Sequence, residues 1–280
     1  METERLKLSD VTICAADSAY VDLTARALRI SMAQCDFADA ILFSDAKVDG
    51  PFRCVRIDPL KSIEAYSDFC LRRLADHIST DFVLIVQWDG YVVNPPAWAN
   101  AFRKYDYIGA AWPHLPDNLA VGNGGFSLRS RRLLKAVQKL AWPAGQWEDQ
   151  VICRIFRSSL EREAGIRFAP VKIADRFSHE LRSVEKTPFG FHGPNNLWRY
   201  VEDDELVTVV EMMDVAKVDP NAILLLILGC MKSGRQRSAR HLYNRFAPTR
   251  PPVVMRRVLT EWYGPVVADQ EMAALEALRG

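Results

Sequence analysis

Paired cysteines, long apolar runs and an excess of charge are all missing from this sequence. Its six cysteines, Cys14, Cys35, Cys54, Cys70, Cys153 and Cys230, are scattered with no close pair. That spacing argues against a zinc knuckle or a disulfide framework and suits buried, reduced thiols. The apolar run Ala222 to Leu228 falls far short of the ~20 residues that a membrane-spanning helix needs. The opening Met-Glu-Thr-Glu-Arg is polar, with no apolar signal core behind it. A cytoplasmic protein is therefore expected, with peripheral contact as the one membrane role left open. A formal net charge of +1 sets up no overall field, so no nucleic-acid partner is expected. A dinucleotide fingerprint is absent too. The glycines at 122, 124 and 125 do not follow a long buried strand in a Gly-x-Gly-x-x-Gly frame.

What is present is an ordinary globular composition: 280 residues, 49% hydrophobic and 25% charged. That suits one large domain, or one domain with an extension. Val-Thr-Ile-Cys-Ala-Ala before Asp17 reads as a strand. Tyr20 to Ala33 has helical spacing, and Ala40 to Phe43 is a second strand. Strand, helix, strand is the opening of a parallel α/β sheet. Phe52 to Ile57 reads as a third strand and Ser62 to Ile78 as a helix. Phe82 to Val86 is an unbroken apolar run, as in a strand buried on both faces. It stops at Gln87-Trp88-Asp89-Gly90. A carboxylate and a glycine there stand where open α/β sheets bind ligands. As a bare pattern, Asp89-Gly90 also fits an ordinary turn.

Further along, a short helix is expected at Ala97 to Arg103 and a strand at Asp106 to Ala111. Gly122-Asn123-Gly124-Gly125 implies close backbone approach or positive φ. Phe126 to Leu128 fits a short strand, and Ser130 fits the cap of a helix Arg131 to Leu140. Glu148-Asp149 opens a helix that runs to Ala164, where carboxylates also suit the helix dipole. Ile166 to Pro170 reads as a last strand, and Thr187 to Asn196 as a loop around His192. After Tyr200 the patterning is helical, over Glu205–Val215, Asn221–Lys232, Ser238–Arg245, Val253–Tyr263 and Asp269–Leu278. The expected organisation is an α/β domain over residues 1–200 and a helical extension over 201–280.

Three motifs in this order resemble glycosyltransferases of the nucleotide-sugar-binding GT-A fold. They are Gln87-Trp88-Asp89-Gly90, then Gly-Asn-Gly-Gly-Phe-Ser-Leu-Arg at 122–129, then Glu148-Asp149. In particular they look like an uncharacterised glycosyltransferase-like domain family that shares them. The resemblance covers about Val11 to Trp198. It implies a GT-A-like, mostly parallel sheet flanked by helices. It also implies transfer of a sugar from a nucleotide-activated donor to an acceptor hydroxyl, with inversion. By the same resemblance Asp89 binds a divalent cation, Mn²⁺ or Mg²⁺, on the donor diphosphate, with His192 as a late ligand. Asp149, with Glu148 beside it, falls at the general base. Asn123, Gly124 and Gly125 line the donor and acceptor site, to which Asp17, Gln87, Trp88 and Trp112 are added. The usual acidic motif of GT-A glycosyltransferases is Asp-x-Asp, and Gln87 stands where its first carboxylate would be. Trp88, Trp112 and Trp147 are candidate platforms for sugar rings. The acceptor class stays open among glycans, lipid-linked carriers and proteins. The helical extension suits a homodimer or a partner-enzyme contact. The competing readings are a non-catalytic carbohydrate- or nucleotide-binding domain, or an adaptor acting through its helices.

Overall fold

Alternation along three strands decides the central sheet of the computed structural model, which describes residues 5–115, 117, 119–183 and 185–279. Ile13 and Ala15 face one apolar cluster, and Cys14 between them faces another. Leu42 and Leu84 join the first cluster, whereas Ile41, Phe43, Val83 and Ile85 join the second. Side chains on a strand alternate between faces, so a run that is apolar at every position must be covered on both.

The strands are β1 (Leu6–Ala16), β2 (Cys35–Ser44), β3 (Arg53–Arg56), β4 (Phe82–Ile85), β5 (Tyr107–Ile108) and β6 (Ser127–Ser130). They form one six-stranded sheet in the order β3-β2-β1-β4-β6-β5. The pairs β1–β2, β1–β4 and β2–β3 are parallel, while β6 runs antiparallel to β4 and β5. The fold is thus α/β with a mostly parallel sheet. The chain runs outward from β1 to β3 and then returns to lay β4 on the other side of β1. That reversal is a topological switch point, and it places the carboxyl ends of β1 and β4 side by side.

Helix α1 (Val21–Gln34) covers the first face with Ala25 and Leu28. Phe69 and Leu74 cover the second, from a helix in three parts: α2 (Ile63–Asp68), a π turn (Phe69–Arg73) and α3 (Leu74–His77). Ser130 caps α4 (Arg131–Val137) by accepting from the Leu133 N–H at 3.0 Å. The expected helix from Glu148 is likewise divided, into α5 (Glu148–Gln150), a π turn (Val151–Ile155) and α6 (Arg157–Ala164). It ends on Gly165 in the left-handed region, a common helix stop.

Two expected elements differ. Ile166 to Pro170 forms only one bridge, Phe168 to Tyr107, because Pro170 has no N–H for a ladder and instead precedes α7 (Val171–Phe177). The stretch after Pro95 is a pair of 3₁₀ turns, Pro95–Ala97 and Asn100–Lys104. A small parallel pair, β7 (Ser178–His179) and β8 (Gly190–Phe191), completes this part and delivers Glu180 and His192.

Two compact units divide the chain, residues 1–192 and 193–280. The second is helical: α8 (Leu197–Tyr200), α9 (Asp203–Met212), α10 (Pro220–Lys232), α11 (Gln236–Phe246), α12 (Pro252–Tyr263) and α13 (Pro265–Glu276). Helix α10 packs on α11 and α11 on α9, and α12 pairs with α13. No helix among the described residues is long and apolar enough to cross a membrane.

Candidate functional site

Strand β4 ends in a tight turn. Gln87 and Gly90 exchange backbone hydrogen bonds at 3.1 and 3.0 Å, with Trp88 and Asp89 at the tip. The ordinary turn is therefore real, and it is also what aims Asp89. Gly90 is needed there, since a Cβ would sit 2.9 Å from the Phe191 carbonyl oxygen. Asp89 is buried, and its Oδ1 accepts no hydrogen bond; His192 Nε2 lies 3.6 Å away. Burial pushes the Asp89 carboxyl up, the His192 charge opposes this, and Glu180 and Asp17 push it further up. Asp17, at the carboxyl end of the neighbouring β1, thus acts on Asp89 across the switch point. It also holds the start of α1, accepting from the Ala19 and Tyr20 N–H groups and the Thr24 hydroxyl.

His192 is the hub of the cluster. Nδ1 donates to Glu180 Oε1 at 3.0 Å, and Nε2 donates to Gln87 Oε1 at 3.0 Å. Burial alone would lower its pKa, but the charges of Asp89 and Glu180 prevail and bring it up to about 9. Both ring nitrogens therefore carry protons at neutral pH. Asn123 Nδ2 is 3.0 Å from Nδ1, and Glu180 accepts from this amide as well as from the ring. Burial would raise Glu180, yet those two donors hold it below the usual range. Gln87 passes the chain on, donating from Nε2 to the Tyr66 hydroxyl at 2.9 Å.

The glycine-rich run is shaped to admit these groups. Asn123 has φ of 53°, the one positive value at a non-glycine among the described residues, which Asn tolerates better than most. A Cβ on Gly125 would come within 2.0 Å of His192 Nε2, and one on Gly124 within 2.1 Å of Glu148 Oε1. The Gly124 peptide is fastened on both sides. Its N–H donates to Asp149 Oδ2 at 2.9 Å, and its carbonyl accepts from the Ser127 hydroxyl at 2.9 Å.

Glu148 and Asp149 part company. Glu148 turns inward, where its Oε1 meets Arg129 Nη2 at 2.8 Å with both side chains almost wholly buried. Arg129 also donates from Nε to Ser127 and lies over the Tyr107 ring, so this pair underpins the loop. Asp149 is half-buried and faces the loop. Burial and the neighbouring Glu148 charge push its carboxyl up to about 6, against the Gly124 hydrogen bond.

The structure brings together Asp89, Gln87, His192, Asn123, Gly124, Gly125, Glu148 and Asp149, with Asp17 and Trp88 alongside. Trp88 is half-buried, its ring centroid 5.2 Å from that of Tyr20. Trp112 goes elsewhere. It is 7% exposed, packed among Leu133, Val151 and Ile152, with its ring against Gly122. Trp147 is 51% exposed. Glu180 and Arg129 are the members that motif reading did not single out as site residues.

Among the described residues no group of three or more His, Cys, Asp or Glu side chains is disposed to hold a metal by itself. A cation that arrives on a diphosphate needs less, since Mg²⁺-type sites commonly use one or two carboxylates plus substrate oxygens. Asp89 Oδ1, buried and without a hydrogen bond, fits that single role. His192 Nε2 lies 3.6 Å from that oxygen and is engaged by Gln87.

The chain is thus an α/β protein whose switch point gathers carboxylates, a histidine and a glycine-rich loop. The chain belongs to the family described as "Protein of unknown function (DUF5672)", whose model matches residues 51–192. No curated protein matches it in sequence. Among solved structures it is similar to a crystal structure of an active-site mutant of LgtC, a GT-A glycosyltransferase, at 12% identity over 65% of this chain and 86% of that one. The TM-score is 0.37, too loose an overlap to carry an argument.

Proposed function

We propose that this protein is a glycosyltransferase that moves a sugar from a nucleotide-activated donor to an acceptor hydroxyl, with inversion. The observation that carries the reading is the pairing of two differently tuned carboxylates at the carboxyl edge of the sheet. Asp149 has its pKa brought to about 6 and is held on the Gly124 N–H. Asp89 offers a buried, unbonded oxygen. A general base works best when its pKa lies near the working pH, and a positioned one contributes ~10²–10⁴-fold in rate.

In this reading Asp149 accepts the acceptor's hydroxyl proton as that oxygen bonds to the anomeric carbon. The bond from that carbon to the diphosphate breaks, and its electron pair leaves with the nucleoside diphosphate. Asp89 would hold a divalent cation, Mn²⁺ or Mg²⁺, which when bound supplies Lewis-acid stabilisation to that leaving group. Glu180 and Gln87 fix the His192 ring beside Asp89, where its charge would help to offset that of the leaving group. Trp88 and Trp147 keep solvent-facing surface on which a sugar ring can stack. The test is incubation with a panel of nucleotide sugars, Mn²⁺ and acceptors, following nucleoside diphosphate release. Turnover that Asp149→Asn abolishes, with donor binding retained, supports the reading; an Asp149→Asn protein as active as the parent removes it.

One observation favours a second reading, a non-catalytic nucleotide- or carbohydrate-binding domain. Gln87 spends both ends of its amide, on His192 and Tyr66, where the Asp-x-Asp motif would present a carboxylate. Nucleotide binding without turnover of any donor decides for it.

A further inference from the structure

A second concavity, of about 1100 Å³, lies in the same unit between the 3₁₀ turn at Pro95–Ala97, helix α7 and the loop that follows β7. Its size is that of a ligand site. Four cations line it, Lys172, Arg176, Arg182 and Lys186, against the carboxylates of Asp175 and Glu185. Arg182 is spent on Asp175, with two contacts of 3.1 Å. Lys172, Arg176 and Lys186 make no ion pair with a carboxylate among the described residues. The groove therefore carries more positive charge than the whole chain, whose formal net charge is +1.

No structural gain explains that gathering. Lys172 and Arg176 stand one turn apart on α7, where like charges weaken a helix. Lys186 comes from the opposite wall, on the loop that Asn94 fastens by donating to the Thr187 carbonyl at 2.6 Å. Trp98 supplies an aromatic wall, set edge-on to Phe102 and Phe189. With four cations against two carboxylates, the groove keeps a positive excess that attracts anions.

We infer that this groove binds the anionic part of a ligand, a phosphate or carboxylate carried on a saccharide. Two of its chain segments lead into the site already described. Val93 and Asn94 N–H groups donate to the Phe189 carbonyl, and the same two segments run on to Asp89 and His192. Asn94 is five residues from Asp89, so their backbones are at most about 18 Å apart. That the anion is carried on a saccharide rests on the glycosyl-transfer reading; the anion site itself does not.

The test is calorimetric titration of the full chain with pyrophosphate and, separately, trigalacturonate, at low and high salt. At least one binds, and more weakly as salt rises. The tighter arm tells phosphate from carboxylate. Lys172→Glu with Arg176→Glu weakens that binding about tenfold or more, and Lys186→Glu on the facing loop weakens it about threefold. Lys139→Glu, outside the groove, leaves it unchanged. If neither anion binds, or charge reversal leaves affinity within about twofold, the inference falls whatever donor is turned over. If anions bind as stated and no donor is turned over, the glycosyl-transfer reading fails alone.

Discussion

Asp149→Asn separates chemistry from stability, because the two respond with opposite sign. The folded protein lifts this carboxyl from 3.8 to about 6. Between those values the folded chain holds the proton more tightly than the unfolded chain, so stability falls as pH rises through the window. Once Asp149 is ionised, the accumulated loss is about 3 kcal/mol, an upper figure because the side chain keeps some contact with solvent. Asparagine removes that loss. It also replaces one of the two oxygens that accept from Gly124 and Gln150 at 2.9 and 2.7 Å. Leaving one of those N–H groups unpaired costs about 1–3 kcal/mol. That second cost is the same at every pH. The clean quantity is therefore the change in ΔΔG with pH. Relative to the parent, the variant gains about 2 kcal/mol between pH 4.5 and pH 8. Urea unfolding at the two pH values measures it, and glycosyl transfer at pH 8 falls ~10²–10⁴-fold over the same substitution. A ΔΔG that does not move with pH refutes the raised carboxyl. Undiminished transfer refutes the base.

Three other outcomes follow from the same geometry. Arg129→Met strands the Glu148 charge in the core and destabilises by about 3–5 kcal/mol, while Arg129→Met with Glu148→Leu recovers most of that, as chemical denaturation will report. An NMR titration of the His192 imidazole is expected to show a midpoint raised to about 9 by the Asp89 and Glu180 charges. The imidazole's contribution to stability is complete below ~6.5 and disappears as pH rises through its folded value, and His192→Gln removes that slope. Mn²⁺ alone leaves the thermal midpoint where it was, whereas Mn²⁺ with a nucleoside diphosphate raises it in a dose-dependent way, and Asp89→Asn erases the joint effect.

Much of the sheet can be read from the chain because its signal is local. Phe82 to Val86 is apolar at every position, and the structure buries both of its faces. The helices after Tyr200 are bounded by glycine and proline and lie within a few residues of their expected spans. What could not be read depends on partners far away in sequence. Nothing local distinguishes Glu180 from a surface glutamate; it matters because β7 and β8 pair and bring it to His192. Nor does an apolar pattern reveal a π turn, since one extra residue per turn leaves the composition unchanged. Trp112 misled for a similar reason. It was a candidate sugar platform, but Gly122 makes room for its ring in the core.

The adjacent acids show most sharply where sequence reasoning stops. Both sit at a helix start, and both suit the dipole there, so no pattern ranks one over the other. The ranking comes from Arg129. A fully buried guanidinium must have a counter-charge, and Glu148 supplies it from within the core. Successive residues on a helix diverge in direction, so once Glu148 is committed inward, Asp149 cannot be. The inward charge then acts on its neighbour, since Glu148 is the second-largest influence raising Asp149 after burial itself. Arg129 thus accounts for the orientation of the pair, while its own charge works against burial and Glu148 in the tuning of Asp149. Asp89 was the residue the motifs centred on, but its own environment leaves it a single unbonded oxygen beside a fixed imidazolium. Asp149, by contrast, is the carboxylate raised to about 6 and turned toward the glycine-rich loop, because the buried arginine claims its neighbour.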